Sequence, residues 1–420
     1  MPDVRCFHPH AEAQVAFDNP GHVPATPVRT LAADLDYMLA VLGTSNDVIL
    51  VRRPPTAEHI AALAAIGLPT PEPVLAPIDG RVLPRKHALR ERLDLRPRPW
   101  AWTPDTCAFF QPFRHGQPVA TWAPGTRGRW SKAWAAKQLA AVYATLDAPS
   151  HDKLCEAVDI PVVATDAAAA RAAITALSPA APTAVVKAPF ATAGRGALRF
   201  STRSPELSPS EQGWLKRAVT ENAVVVAPWR DRIADLSVQL DIDPDPTIDP
   251  VLGVTGLLCD SHGRYRGNLV NAPDDAHGCH HLLLEVARRI AAIVRVHGHL
   301  GPAGIDAMVF VDASGQIRLQ PVLEINPRHT MGHLALGLRR FLAPSSVGRL
   351  VVLGPRDRIC MSLVDVVAAL SAALPPVRDD AGAIAQAAVP LNDPATATAH
   401  LALFLAAPDQ DAIDAALTAV

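Results

Sequence analysis

Leu323-Glu324-Ile325-Asn326-Pro327-Arg328 is the stretch that decides how this 420-residue chain is read. Side chains two apart on an extended strand share a face, so Glu324 and Asn326 present their oxygens together. A carboxylate beside an amide oxygen suits a hard cation such as Mg²⁺. Pro327 has no N–H for a sheet ladder and ends the strand. Arg328 follows, with a guanidinium fork shaped for a phosphate or acyl phosphate. Val322, Leu323 and Ile325 mark the strand as buried, and a buried glutamate needs a partner.

Working upstream, Asp312-Ala313-Ser314-Gly315 is a hairpin turn between the strands expected over Gly304–Val311 and Gln316–Ile325. Asp306 lies about seven positions before that turn and Glu324 about ten after it, so ordinary register lets the two carboxylates meet. Two carboxylates and an amide around one point repel unless a cation sits among them. Further upstream, the apolar run Val185-Val186 delivers Lys187, and the small-residue loop Ala191-Thr192-Ala193-Gly194-Arg195-Gly196 follows. Such a loop lets backbone N–H groups approach phosphate oxygens while the lysine supplies a point charge. It is neither a P-loop, which needs Gly-Lys-Ser/Thr, nor a clean G-x-G-x-x-G.

In this order the pieces resemble the ATP-grasp superfamily: Lys187 to Gly196, a hinge strand Val224 to Trp229, and the closing hairpin Gly304 to Arg328. The N-terminal Phe7-His8-Pro9-His10, Asp18 to His22, Pro27-Val28-Arg29 and Asp34-Leu35 resemble the pre-ATP-grasp domain of a bacterial subgroup. The resemblance spans residues 4–345. It implies an α/β and α+β protein: a pre-ATP-grasp βαβ domain, then two α+β lobes gripping ATP between antiparallel sheets. The implied boundaries are 1–95, an irregular linker 96–130, a first lobe 131–222, a second lobe 223–345 and a C-terminal α+β appendage 346–420.

The implied reaction passes the γ-phosphate of ATP to a carboxylate, and an amine or thiol then attacks the acyl phosphate as ADP leaves. By the family pattern Asp306, Glu324 and Asn326 hold Mg (or Mn), and Lys187 contacts phosphates or adenine. Thr192, Ala193, Gly194, Arg195 and Gly196 close over the phosphates, and Arg328 stabilises the charge developing in transfer. Backbone groups of Val226 and Trp229 are the candidates for adenine. The chain departs from the pattern at Ala227, where a glutamate usually stands. A second, earlier lysine is also usual: Lys132 and Lys153 are the candidates, with Lys132 preferred because its helix is longer and better capped. Two other outcomes stay open: a kinase stopping at phosphoryl transfer, and a nucleotide-binding regulatory protein with a weakened site.

Composition narrows the rest. Hydrophobic residues are 49% and charged residues 19%, enough to bury cores. Lys+Arg is 39 against Asp+Glu 41, a net charge of −2, which argues against nucleic acid or an anionic membrane as partner. The partners expected are small-molecule or peptide carboxylates and amines, with a homodimer as the candidate assembly. The six cysteines form no C-x-x-C pair and read as reduced thiols, and Met1-Pro2-Asp3 opens no signal peptide, so the cytoplasm is the expected compartment. His8, His10 and Glu12 alternate on a strand end and could line a cleft. Arg264 and Arg266, in a loop between strands, could meet an acidic substrate. Cys279-His280-His281 is a helix start, since adjacent histidines point apart. Trp100, Trp102, Phe109 and Phe110 are expected to pack a lobe.

Overall fold

The structure, a computed structural model, describes all residues except 20, 21, 77, 79–82, 93, 114–121, 124, 147–151, 191–195, 204, 205, 222, 261, 262, 264, 272–275, 358 and 359. The chain divides into two compact units. Unit one is Met1–Ala123, Arg266–Ala272 and His329–Val420; unit two is Pro124–Tyr265 and Pro273–Arg328. Among the described residues no helix is long and apolar enough to cross a membrane.

Unit one begins with a parallel sheet of β1 (Asp3–Cys6), β2 (Val48–Val51), β3 (Glu72–Leu75) and β4 (Arg96–Pro97), in the order β3-β2-β1-β4. Every residue of β1 and β2 is buried, as the continuous apolar run Val48–Val51 requires. Thr56 caps the helix Ala57–Ala65 by accepting from the His59 N–H. The helical stretch Thr26–Leu42 is split, α to Leu35 and 3₁₀ from Asp36 to Leu42. Asp36 sits at the break, its carboxylate accepting from the Arg52 N–H at 2.8 Å and the Arg52 guanidinium at 2.6 Å. The segment expected to be irregular, Arg96–Arg129, carries β4 and the helix Pro104–Phe109, which opens on a Thr103–Thr106 capping box. Trp100, Phe109 and Phe110 are buried there, as lobe packing demands. Elements of two and six residues are too short to show a period in sequence.

Unit two holds two antiparallel sheets. The first comprises β5 (Val162–Ala164), β6 (Thr183–Lys187), β7 (Ala197–Ser201) and β8 (Val224–Pro228), in the order β5-β8-β6-β7. The second begins with β9 (Asp231–Ile242) and β10 (Val251–Cys259). After β11 (Tyr265–Leu269), which runs into unit one, it gains β12 (Gly301–Val311) and β13 (Ile317–Asn326), in the order β13-β12-β9-β10. The helix His280–Val296 lays Leu283, Val286, Ile290 and Val294 on Val238, Leu240, Ile305 and Val309 of this sheet. Each such side chain contributes about 1.5–3 kcal/mol by leaving water. Cys279 stands at that helix's N-cap. The expected turn closes the β12–β13 hairpin: Asp312 accepts from the N–H groups of Ser314 and Gln316, and Gly315 takes a φ of +84°.

The C-terminal stretch completes unit one with β14 (Val347–Leu353), β15 (Val377–Arg378), β16 (Ile384–Pro390) and β17 (Leu401–Ala407), in the order β11-β14-β17-β16-β15. Residues 346–420 fold together with the N-terminal layer here, and do not stand apart as the expected appendage. Asp34 accepts from the backbone N–H groups of Thr398, Ala399 and His400, and Asp393 accepts from the N–H and hydroxyl of Thr56. Pairings more than 300 positions apart leave no local trace in sequence.

Candidate active site

The β12–β13 hairpin sets Asp306 directly opposite Glu324. Nearer the turn the pairing is Met308 with Gln320, so three residues of β13 face the single Ala307. Pro321 lies in this bulge, where a residue without an N–H is tolerated. An unbroken ladder would have put Val322 opposite Asp306; the bulge delivers Glu324. This is how seven positions on one arm match ten on the other.

Hydrogen bonds fix the Asp306 carboxylate on both sides. Oδ1 accepts from the Ser237 hydroxyl at 2.8 Å, and Oδ2 accepts from the Asn326 amide at 3.2 Å. Ser237 in turn accepts from the fully buried Gln239 amide at 2.8 Å. Burial and the facing Glu324 push the Asp306 carboxyl up to about 6, against the pull of Ser237, Arg328 and Asn326. Arg328 donates to the Asn326 side-chain oxygen at 3.3 Å. Glu324 has its own cation: Lys132 Nζ stands 2.5 Å from Oε1.

Lys132 opens the helix Lys132–Tyr143, which Ser131 caps, and its N–H donates to Pro189 O at 2.9 Å. Lys187 ends β6. Alternation along that strand turns Val185 and Lys187 to one face, with Ala227 and Val225 their partners on β8. The other face, with Val186, Val224 and Val226, packs on Ile174 and Leu215. Burial draws the Lys187 ammonium down to about 8; Glu324 and Asp306 resist, while Lys132 and Arg232 push the same way as burial.

Lys132, Lys187, Asp306 and Glu324 line one cavity of about 230 Å³ in unit two. Trp229, Arg230, Asp159 and Gln320 also line it. Asp159 and Arg230 form a buried ion pair at 2.6 Å. Arg232 pairs with Asp235 at 3.0 Å and stacks on the Trp229 indole. Among the described residues no group of three or more His, Cys, Asp and Glu side chains is placed to hold a metal ion. A cation beside Asp306 and Glu324 would therefore draw its third protein ligand from the Asn326 amide.

The other candidates from the sequence fall elsewhere. Lys153 is exposed, with Nζ 3.3 Å from His277 O, and Lys132 is the early lysine in the cavity wall. Thr192, Ala193, Gly194, Arg195 and Arg264 lie outside the described residues. Gly196 follows with a φ of +68°, and its carbonyl accepts from the Ala188 N–H. The backbone of Val226 is flanked by β5 and β6, and the Trp229 N–H donates to Thr183 O, so neither amide is spare for a base. Arg266 belongs to β11, a strand where a loop was expected, and bonds Asp357 at 2.9 Å in unit one. His8 and His10 are buried in unit one, Nε2 to Nε2 at 3.0 Å. They do not alternate on a strand: β1 stops at Cys6, and His10 stands at the N-cap position of the helix Ala11–Phe17.

Sequence reading missed Ser237, Gln239 and Gln320. The signal for the first two was present, because Leu236-Ser237-Val238-Gln239-Leu240 alternates strictly and puts two polar groups on one face of β9. Gln320 had none, since the bulge beside it is not visible in residue types.

No family model matches the chain, and neither does any curated protein. Among solved structures it is similar to the N5-carboxyaminoimidazole synthetase from Staphylococcus aureus complexed with ADP, at 9% identity and a TM-score of 0.48, over 100% of this chain and 96% of that one. It is also similar to a D-cycloserine synthetase, at 13% identity and a TM-score of 0.41, over 80% of this chain and 98% of that one. A third is biotin carboxylase from Campylobacter jejuni as a β-γ-ATP complex, at 11% identity and a TM-score of 0.41, over 68% of this chain and 65% of that one. In architecture, a parallel N-terminal sheet followed by antiparallel sheets, the chain has the arrangement that its resemblance to the ATP-grasp superfamily implied.

Proposed function

We propose that the unit-two cavity binds ATP with Mg²⁺ and that the protein is an ATP-dependent ligase, joining a small carboxylate to an amine or thiol with release of ADP. The observation that carries this is Asp306 opposite Glu324 in a cavity that also receives Lys132 and Lys187. Two half-buried carboxylates on adjacent strands, one of them pushed up to about 6, suit a divalent cation, whose charge relieves their repulsion. Asp306, Glu324 and Asn326 would hold it, and it would neutralise charge on the nucleotide phosphates.

The chain's own groups then do positional work. Lys187 and Lys132 meet phosphate oxygens, and Arg328, anchored on Asn326, faces the charge that grows as phosphate moves to the carboxylate. No protein nucleophile is required, because orientation and fixed charge supply the rate. Ala227 favours a second reading, a nucleotide-binding regulator, because it lines the cavity without a polar contact for a ribose.

ADP release, screened against amino acids, dipeptides and polyamines with Mg²⁺, tests the reading. A condensed product with stoichiometric ADP supports the ligase. ADP with a stable phosphorylated product supports a kinase, and nucleotide binding without turnover supports the regulator.

A further inference from the structure

One stretch of the cavity wall is apolar, formed by Ala136, Val185, Ala227, Met308 and Val322, while Asp159, Arg230, Arg232, Asp235 and Tyr265 line other parts of it. A flat heteroaromatic base fits such a slot, and recognition then depends on the polar atoms at its edge. Both charged pairs in the wall are already satisfied, Arg232 by Asp235 at 3.0 Å and Arg230 by Asp159. Arg230 donates to Asp159 Oδ1 and to Ala180 O, and Asp159 Oδ2 accepts from the Glu156 N–H.

Gln320 differs. It is only 2% exposed, yet it belongs to the cavity wall opposite Met308. Its Nε2 donates to the Asp159 carbonyl at 3.2 Å, and its Oε1 is buried with no partner. Among the described residues it is the one wall side chain with such an orphaned atom. The amide cannot be turned over to cure this. A carbonyl only accepts, so the NH₂ must face Asp159 O, and the oxygen must face the other way. A buried acceptor left unmade is costly, so its presence in a cavity wall points to a ligand that donates there.

We infer that Gln320 reads the base: its Oε1 accepts a hydrogen bond from the exocyclic amine of an aminopurine, selecting an adenine nucleotide. This rests on the nucleotide reading of the cavity and adds a specificity-determining residue to it. The Asp159 carbonyl acts through Gln320 as a positioning group, fixing which end of the amide meets the base.

The test is calorimetric binding, with Mg²⁺, of ATP and of purine riboside 5′-triphosphate, which lacks the 6-amino group and every other base donor. The unmodified protein is expected to favour ATP by roughly 5- to 100-fold, the range for leaving one buried acceptor unpaired. In Gln320→Met, of similar volume but without the amide, the ratio is expected to fall towards one. Equal binding of both nucleotides by the unmodified protein overturns the assignment without any variant having to fold. A preference for ATP that survives in Gln320→Met also overturns it. If neither triphosphate binds, the nucleotide reading itself fails and takes this one with it, an outcome distinct from binding without discrimination.

Discussion

Asp306 is in an environment that favours its protonated form, and that makes Asp306→Asn a sharp test of the site's electrostatics. In an unfolded chain the carboxyl titrates near 3.8; folded, burial and Glu324 hold it up to about 6. Below 3.8 both states are protonated and the residue costs nothing. As pH rises through the window from 3.8 to about 6, the unfolded chain ionises first and folding loses stability; above it the penalty is complete. The rise of about 2 pH units is worth about 3 kcal/mol at 1.36 kcal/mol per unit. At pH 5 it amounts to about 1.6 kcal/mol and at pH 8 to the full value of about 3 kcal/mol. Asn cannot ionise, so Asp306→Asn is expected to gain stability relative to the unmodified protein by about 1.4 kcal/mol more at pH 8 than at pH 5. Changes in the bonds to Ser237 and Asn326 add a constant and cancel from this difference. The assay is urea unfolding at both pH values with a chelator present, reading midpoints at equal m. The same variant is expected to lose the stabilisation that Mg·ATP confers on the unmodified protein. A stability difference that is flat between the two pH values, or that shrinks as pH rises, refutes the reasoning.

Lys187, drawn down to about 8, carries its charge below that pH and loses it above, so affinity for a polyphosphate is expected to fall about tenfold between pH 7 and pH 9. Lys187→Arg keeps its charge over this range and is expected to flatten the titration, and calorimetry of Mg·ATP binding reads both. In unit one, a Cβ on Gly337 would stand 2.5 Å from the Val41 carbonyl oxygen, a backbone atom with little room to yield. Gly337→Ala is expected to lower stability by about 1–3 kcal/mol, read as a fall in the urea midpoint.

Much of the site's chemistry was legible because it is carried by short-range patterns. Alternation at Glu324 and Asn326, a turn at Asp312–Gly315, and an apolar strand ending in Lys187 each depend on neighbours within a few positions. Strand period and turn stereochemistry decide them before any tertiary contact forms. The same holds for the hinge strand β8 and for the helix that Ser131 caps.

What the sequence determined by itself, then, was part of the inventory: the two strands flanking the Asp312–Gly315 turn, the strand that ends in Lys187, and the face on which Glu324 and Asn326 carry their oxygens. The tertiary structure alone decided the pairings. It brought Lys132 to Glu324 through a helix start packed beside Pro189, and left Lys153 exposed near His277. It put Gln320 in the wall through a bulge, and it folded 346–420 onto the N-terminal layer through Asp34 and Asp393. Local geometry is set by the sterics of adjacent residues. Partnership across a cavity or a sheet depends on register and packing, which no single segment encodes.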